Sequence, residues 1–245
     1  MTKESNDPLR KITGTISGLS KSRRNRDFVL SQMGKDVGAS AVSAGLADMG
    51  GAGIAIATMD TSETADFVEF QVNGESVRGW FWRFPFQDGD AVDVVAEPDG
   101  QAAWTAYGVR RDADALVAVY PHCFEGRRSH YRSTFRFWGI VVAAIFIFMM
   151  CLDAVLALFK GTFSIQNQLD AYGIYAMYLL PGLLLVFGFL AWRGGRKTEG
   201  FAQVAETIFK GFGWADPGGI NLREISRKKR RAGDGKDYGM RYFRY

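Results

Sequence analysis

Two stretches decide the fold: FWGIVVAAIFIFMMCLDAVLALF at Phe137–Phe159 and IYAMYLLPGLLLVFGFLAW at Ile174–Trp192. A helix needs roughly 20 apolar residues to cross the hydrocarbon core of a bilayer, and each stretch reaches that length. The first carries one acid, Asp153, towards its end; the second carries no charge. Pro181 and Gly182 would be costly inside a soluble helix, but in a membrane neighbouring helices re-satisfy the freed backbone groups. The alternative, two buried core helices of a soluble protein, lacks enough apolar surface elsewhere in the chain to wrap them. The pair therefore predicts a two-helix transmembrane hairpin, joined by KGTFSIQNQLDAYG (residues 160–173).

Charge orients this hairpin. Arg127, Arg128, Arg132 and Arg136 precede the first span, Arg193, Arg196 and Lys197 follow the second, and the connecting loop has only Lys160. Positive charge stays inside, so both termini are expected in the cytoplasm, with Trp138 and Trp192 at the inner face and Tyr172, Tyr175 and Tyr178 towards the far one. Asp153 is a functional candidate by default, as an ionisable group within a span. Its closeness to Lys160 favours an interfacial acid paired to that lysine or to a tyrosine of the second span, over a role in ion passage or helix assembly. The opening MTKESNDPLRK has no apolar core, so no cleavable signal peptide is expected. Two cysteines, Cys123 and Cys151, cannot build a disulfide framework and suit a reducing compartment. The pI of 9.1 arises from clusters, and juxtamembrane basic clusters meet anionic lipid head groups.

The expected organisation is α+β: a cytosolic β-rich region over 1–126, a juxtamembrane segment and hairpin over 127–197, and an amphipathic helix with a basic tail over 198–245. Strands are expected at Lys11–Gly18 and Arg26–Ser31, separated by the basic turn KSRRNR. Asp66–Val72 alternates with Val68, Phe70 and Val72 on one face. Asn73-Gly74 supplies the positive-φ pair of a tight hairpin, and Glu75–Arg83 returns. Further strands follow at Ala91–Ala96, Trp104–Val109 and Leu116–Tyr120. Six or seven short strands with regular turns predict a small, partly closed barrel. Phe86, Gly89-Asp90, Val92 and Val94 resemble a pattern of OB-like and SH3-like barrels, which bears on fold and not on function.

Val37–Met59 is built from Gly, Ala, Ser and small aliphatics, with small residues at Ala39, Ser43, Ala47, Gly51 and Ala55. A loosely helical insertion between strands is favoured over a membrane-touching helix, and both over a third span, which Asp48 opposes. Phe201, Val204, Ala205, Ile208, Phe209 and Phe212 recur at the spacing of an amphipathic helix over Thr198–Phe212, suited to the inner leaflet or to the barrel. The tail NLREISRKKRRAGDGKDYGMRYFRY is basic and glycine-rich and reads as unfolded in isolation.

Catalytic equipment is sparse. His122, Cys123 and His130 have no recognised metal spacing, and no G-x-S-x-G, P-loop or H-E-x-x-H motif is present. No catalytic residue, metal or cofactor is expected. Two basic runs remain as partner surfaces, Lys21–Arg26 with Arg23, Arg24 and Arg26, and Arg227, Lys228, Lys229, Arg230 and Arg231. Nucleic acid would want such a run beside stacking aromatics; lipid head groups or a protein partner fit a membrane-held chain better.

PLRKITGTISGLSKSRRNRDFVLS, the DFVEFQVNGESVRGWFWRFPFQDGD block, VAVYPHC, the two spans and the ETIFKGFGW…REISR tail together resemble a family of bacterial inner-membrane proteins labelled type VI secretion system effectors or effector-associated proteins. The resemblance implies an inner-membrane location, a Gram-negative source, and a partner from the secretion apparatus or a cognate effector or immunity protein. It carries over no catalytic residue. Two function classes follow: a non-enzymatic secretion-associated membrane protein acting by membrane association and protein binding, or a tethered barrel scaffold unrelated to secretion. Both are compatible with an oligomer.

Overall fold

A computed structural model of the chain describes residues 9–26, 63–100 and 102–245, without the side chains of Arg26, Glu63, Lys197 and Thr198. The expected insertion at 37–59 and the strand at Arg26–Ser31 beyond Arg26 lie outside these residues. The chain divides into two compact units: residues up to 129 with 198–245, and residues 130–197.

In the first unit, Asn73 (φ 53°) and Gly74 (φ 83°) make the tight turn between β2 (Glu63–Val72) and β3 (Glu75–Phe81). Two left-handed residues match the twist of paired strands. The sheet continues with β4 (Ala91–Pro98), β5 (Trp104–Arg111), β6 (Leu116–Val119) and β7 (Phe243–Arg244). β1 (Arg10–Arg26) pairs antiparallel with β4 through its first half and with β2 through its second. β3 and β5 then run parallel, Val77 to Gly79 against Trp104 to Ala106. That last pairing closes a five-stranded barrel, β1-β2-β3-β5-β4, and β6 and β7 extend the sheet from β5. A β-carbon on Gly79 would stand 2.7 Å from the Ala106 carbonyl oxygen, so the seam requires glycine there.

The basic segment KSRRNR is not a turn. It is the second half of β1, paired residue for residue with β2 from Lys21↔Val68 to Arg26↔Glu63. The chain bends earlier, where the register shifts between Ser17 and Ser20 and Gly18 takes φ 65°. Such a bulge bends one strand so that it serves both sides of a small barrel.

Alternation fills the interior. Val68, Phe70, Val72, Val77, Phe81, Val92, Val94 and Ala96 point inward with Ile16, and Phe84 and Phe86 join them from the β3–β4 connection. The opposite faces of β4–β6 are also apolar: Val95, Tyr107, Val117 and Val119 are covered by Val204, Ala205, Ile208, Phe209 and Phe212. The amphipathic stripe of the C-terminal segment thus packs on protein. Gly108 permits the close fit, since a β-carbon there would come 2.8 Å from both the Ile208 methyl and the Phe212 ring.

The tail is folded. α4 (Leu222–Lys228) starts on Asn221, whose side chain accepts from the Glu224 N–H at 3.0 Å. β7 pairs with β6, Leu116↔Arg244 and Val117↔Phe243. Leu222, Tyr238 and Phe243 are buried, and these three widely spaced anchors hold a segment whose composition alone reads as unstructured.

The second unit is helical. α1 (Arg127–Phe159) ends at Gly161, in the left-handed conformation at φ 67°. The connection is shorter than the sequence suggests, because α2 (Ile165–Ile174) already begins at Ile165; Gln, Leu and Ala within IQNQLDAYGI are good helix formers. A π turn, Tyr175–Leu179, joins α2 to α3 (Leu180–Gly211). Pro181 lacks an N–H and crowds the carbonyl of Met177, and the wider turn around Met177 accommodates both. α3 does not break after the second apolar stretch; the expected separate helix at Thr198–Phe212 is its continuation. Gly195 within it allows Tyr131 to approach, a β-carbon there standing 2.9 Å from the Tyr131 ring.

Candidate functional site

The residues nominated by sequence fall into three settings. The first is structural. The Arg127 backbone N–H donates to Glu206 at 2.8 Å and its guanidinium to the second carboxylate oxygen at 3.1 Å, and Glu206 is buried. Arg128 forms an ion pair with Asp216. Within the first unit these two arginines tie residues 127 and 128 to the C-terminal segment.

The second setting is the hairpin. Arg132, Arg136 and Arg193 are exposed and make no ion pair among the described residues. Trp138 packs on Phe187 with centroids 5.5 Å apart, Trp192 lies 6.0 Å from Phe189, and the Arg196 guanidinium sits 5.2 Å over the Trp192 ring. Tyr172 donates to the Met150 carbonyl at 3.3 Å, and the Tyr175 hydroxyl is hydrogen-bonded to Asp153. Tyr178 is exposed. Helices Arg127–Phe159 and Ile165–Arg196 are each long and apolar enough to cross a membrane, with only 6% of either apolar window buried in the chain.

The third setting is basic surface on the barrel unit. Arg23 is exposed on β1, and Arg24 lies over Phe67 at 5.3 Å. The Arg227–Arg231 run divides by role. Lys228 pairs with Glu224 at 2.8 Å, Lys229 donates to the Tyr245 carbonyl at 2.5 Å, and the Arg231 backbone N–H donates to Asp234 at 2.6 Å. Arg227 and Arg230 make no ion pair among the described residues. With Arg223 they line a cleft of about 400 Å³, completed by Asn221, Glu224, Tyr238, Gly239 and Met240.

Sequence reasoning missed Arg223 and the Tyr238–Met240 wall. The signal for Arg223 was available: it stands four residues before Arg227, on the same face of α4. The wall had none, because the return of 238–240 to α4 depends on β7. Arginine guanidinium groups present planar donor forks that match phosphate and carboxylate oxygens. The chemistry offered here is anion recognition.

The remaining polar candidates are packed. His122 sits 4.8 Å from the Trp82 ring and 5.1 Å from Phe201. Burial pushes the Cys123 thiol well above its ordinary value, which leaves it unreactive. Burial raises Tyr107 as well, with the hydrogen-bonded Glu97 carboxylate adding to the shift. Among the described residues no three His, Cys, Asp or Glu side chains are grouped to hold a metal ion.

No protein-family model, no curated protein and no solved structure matches this chain.

Proposed function

We propose that this chain is a membrane-anchored, non-enzymatic binding protein, in which a helical hairpin tethers a barrel domain to a bilayer and the domain's basic surface engages a partner. The observation that carries the reading is the bareness of the hairpin. Phe137, Ile140, Ile147, Phe148, Leu185 and Phe189 are each more than half exposed, and apolar surface on that scale needs lipid or another chain to cover it. Arg132, Arg136 and Arg193 at one end of the helices and Lys160 alone at the other support an orientation with both termini cytoplasmic; the bacterial inner membrane is what the resemblance to the secretion-associated family implies. The order β1-β2-β3-β5-β4, closed by a parallel β3–β5 seam, supports an OB-like barrel. The resemblance to secretion-associated inner-membrane proteins supports a protein partner from that apparatus, or a cognate effector or immunity protein.

Expression in a bacterial host followed by carbonate extraction, with reporters fused at each terminus and in the 160–164 connection, tests the anchor. Retention in the pellet with both termini inside is expected. Release by carbonate, or a terminal reporter active outside, removes the reading.

A further inference from the structure

The basic run at the end of α4 contains more than solvated charge. Arg223, Arg227 and Arg230 line the α4 side of the cleft, and Tyr238, Gly239 and Met240 line the other. Each wall is fixed from behind. The Arg223 guanidinium carbon lies over the Phe124 ring, 3.7 Å from its centroid. The Tyr238 hydroxyl donates to the Ser226 carbonyl at 2.9 Å, and the Gly239 N–H donates to the Tyr242 carbonyl at 2.8 Å. The acid at the site, Glu224, is bound to Lys228 at 2.8 Å. Met240 adds an apolar rim, 60% exposed, beside the charged wall.

We infer that this cleft binds the phosphate of an anionic phospholipid head group, an inference that rests on the membrane-anchored reading above. Two guanidinium groups unpaired among the described residues provide charge-assisted donors for one phosphate, and a cleft of about 400 Å³ suits a single head group. Nucleic acid fits less well, because continuous strand binding uses exposed stacking rings and Tyr238 is 3% exposed. The Met240 thioether next to the arginines suits the boundary between head group and acyl chain, where apolar and basic side chains work together. Residues 130–197 connect directly to this unit, so a spanning hairpin would keep lipid at high effective concentration around it.

The test uses the full chain in neutral detergent, titrated with micelles doped with phosphatidylglycerol or with phosphatidylcholine and read by anisotropy of a labelled lipid. Three forms are compared: the unaltered chain, Arg227→Gln/Arg230→Gln, and Arg132→Gln/Arg136→Gln. Preference for phosphatidylglycerol, weakened about tenfold or more in the first double variant and kept in the second, is expected. Restoration by Arg227→Lys/Arg230→Lys in part supports the same conclusion. Unchanged binding in the α4 variant overturns the inference, as does loss confined to the juxtamembrane variant. Displacement of the lipid by an equal concentration of inorganic phosphate would assign the cleft to a free anion and overturn the head-group assignment. Circular dichroism of both variants checks folding; since Arg227 and Arg230 are exposed, native spectra are expected. Micelle binding does not require a spanning hairpin, so failure here is distinct from release by carbonate.

Discussion

Arg244 and Asp234 face one another through a double hydrogen bond, Nη1 to Oδ2 at 3.0 Å and Nη2 to Oδ1 at 3.1 Å, with both side chains largely buried. The same guanidinium donates to the carbonyls of Asp114 at 3.1 Å and Lys229 at 2.9 Å. One side chain thus ties the β5–β6 turn, the end of α4 and the following loop to β7. Removing one partner of a buried pair leaves the other charge uncompensated. Arg244→Ala should therefore lower unfolding stability by about 3 kcal/mol, measured by urea titration of the full chain in detergent. A loss below about 0.5 kcal/mol would show the pair to be solvated.

Acid should act on the same contact. The hydrogen bond from Arg244 holds Asp234 below the usual carboxylate range, against a smaller opposing effect of burial. Burial would raise Asp93, but hydrogen bonds from Thr13 and Arg110 outweigh it and the net shift is downward. Folded values below the unfolded ones mean stability that is complete above the unfolded carboxylate value, about 3.9, and lost as pH falls through the folded values. The urea midpoint should stay flat from about pH 7 to about pH 5 and fall below about pH 4. Asp234→Asn should be destabilised at neutral pH, with its deficit shrinking in acid.

Close packing between sheet and helix gives a third prediction. Gly108→Ala places a methyl 2.8 Å from Ile208 and Phe212, and overpacking of this kind costs about 1–3 kcal/mol. Ile208 is fully buried, so Ile208→Ala should cost about 2–5 kcal/mol. The double variant, which makes room for the new methyl, should lose less than the sum of the two. Simple additivity in a thermal or urea series would mean that the two sites do not touch.

Within the hairpin, Tyr175→Phe removes the hydrogen bond to Asp153. Interhelical hydrogen bonds in membranes are worth about 0.6 kcal/mol, with a maximum of about 1.7. A reduction in that range is expected in a detergent-unfolding titration, and Asp153→Asn/Tyr175→Phe should add little to it. A larger, additive loss would give Asp153 a separate partner.

Legibility followed the range of the interactions. The β2–β3 hairpin and the inward set Val68, Phe70 and Val72 were readable because turn chemistry and alternation are local. The C-terminal stripe from Phe201 to Phe212 was readable too, though not whether leaflet or barrel would cover it. The seam between β3 and β5 was not readable, since a parallel pairing of Gly79 with Ala106 leaves no local pattern. KSRRNR looked like a turn because charge obscures a strand whose neighbours set its conformation. The tail failed for a related reason: Leu222, Tyr238 and Phe243 are too sparse to register as a core, and Arg244 reads as one more surface charge. At the cleft, the helical spacing of Arg223 and Arg227 was in the sequence, while its opposite wall needed the fold.

The covering of β4–β6 by Val204 to Phe212, and the pairing of β6 with Phe243–Arg244, also impose an order on synthesis. A ribosome delivers β1–β6 first, then both apolar helices, and only afterwards the residues that shield Val95, Tyr107, Val117 and Val119. The nascent barrel therefore keeps a bare flank throughout synthesis of the hairpin, when exposed sheet is prone to aggregate. Maturation of the domain becomes a step that follows synthesis of the hairpin. A chain stalled between the hairpin and α4 should be held by chaperones or cleared by proteases.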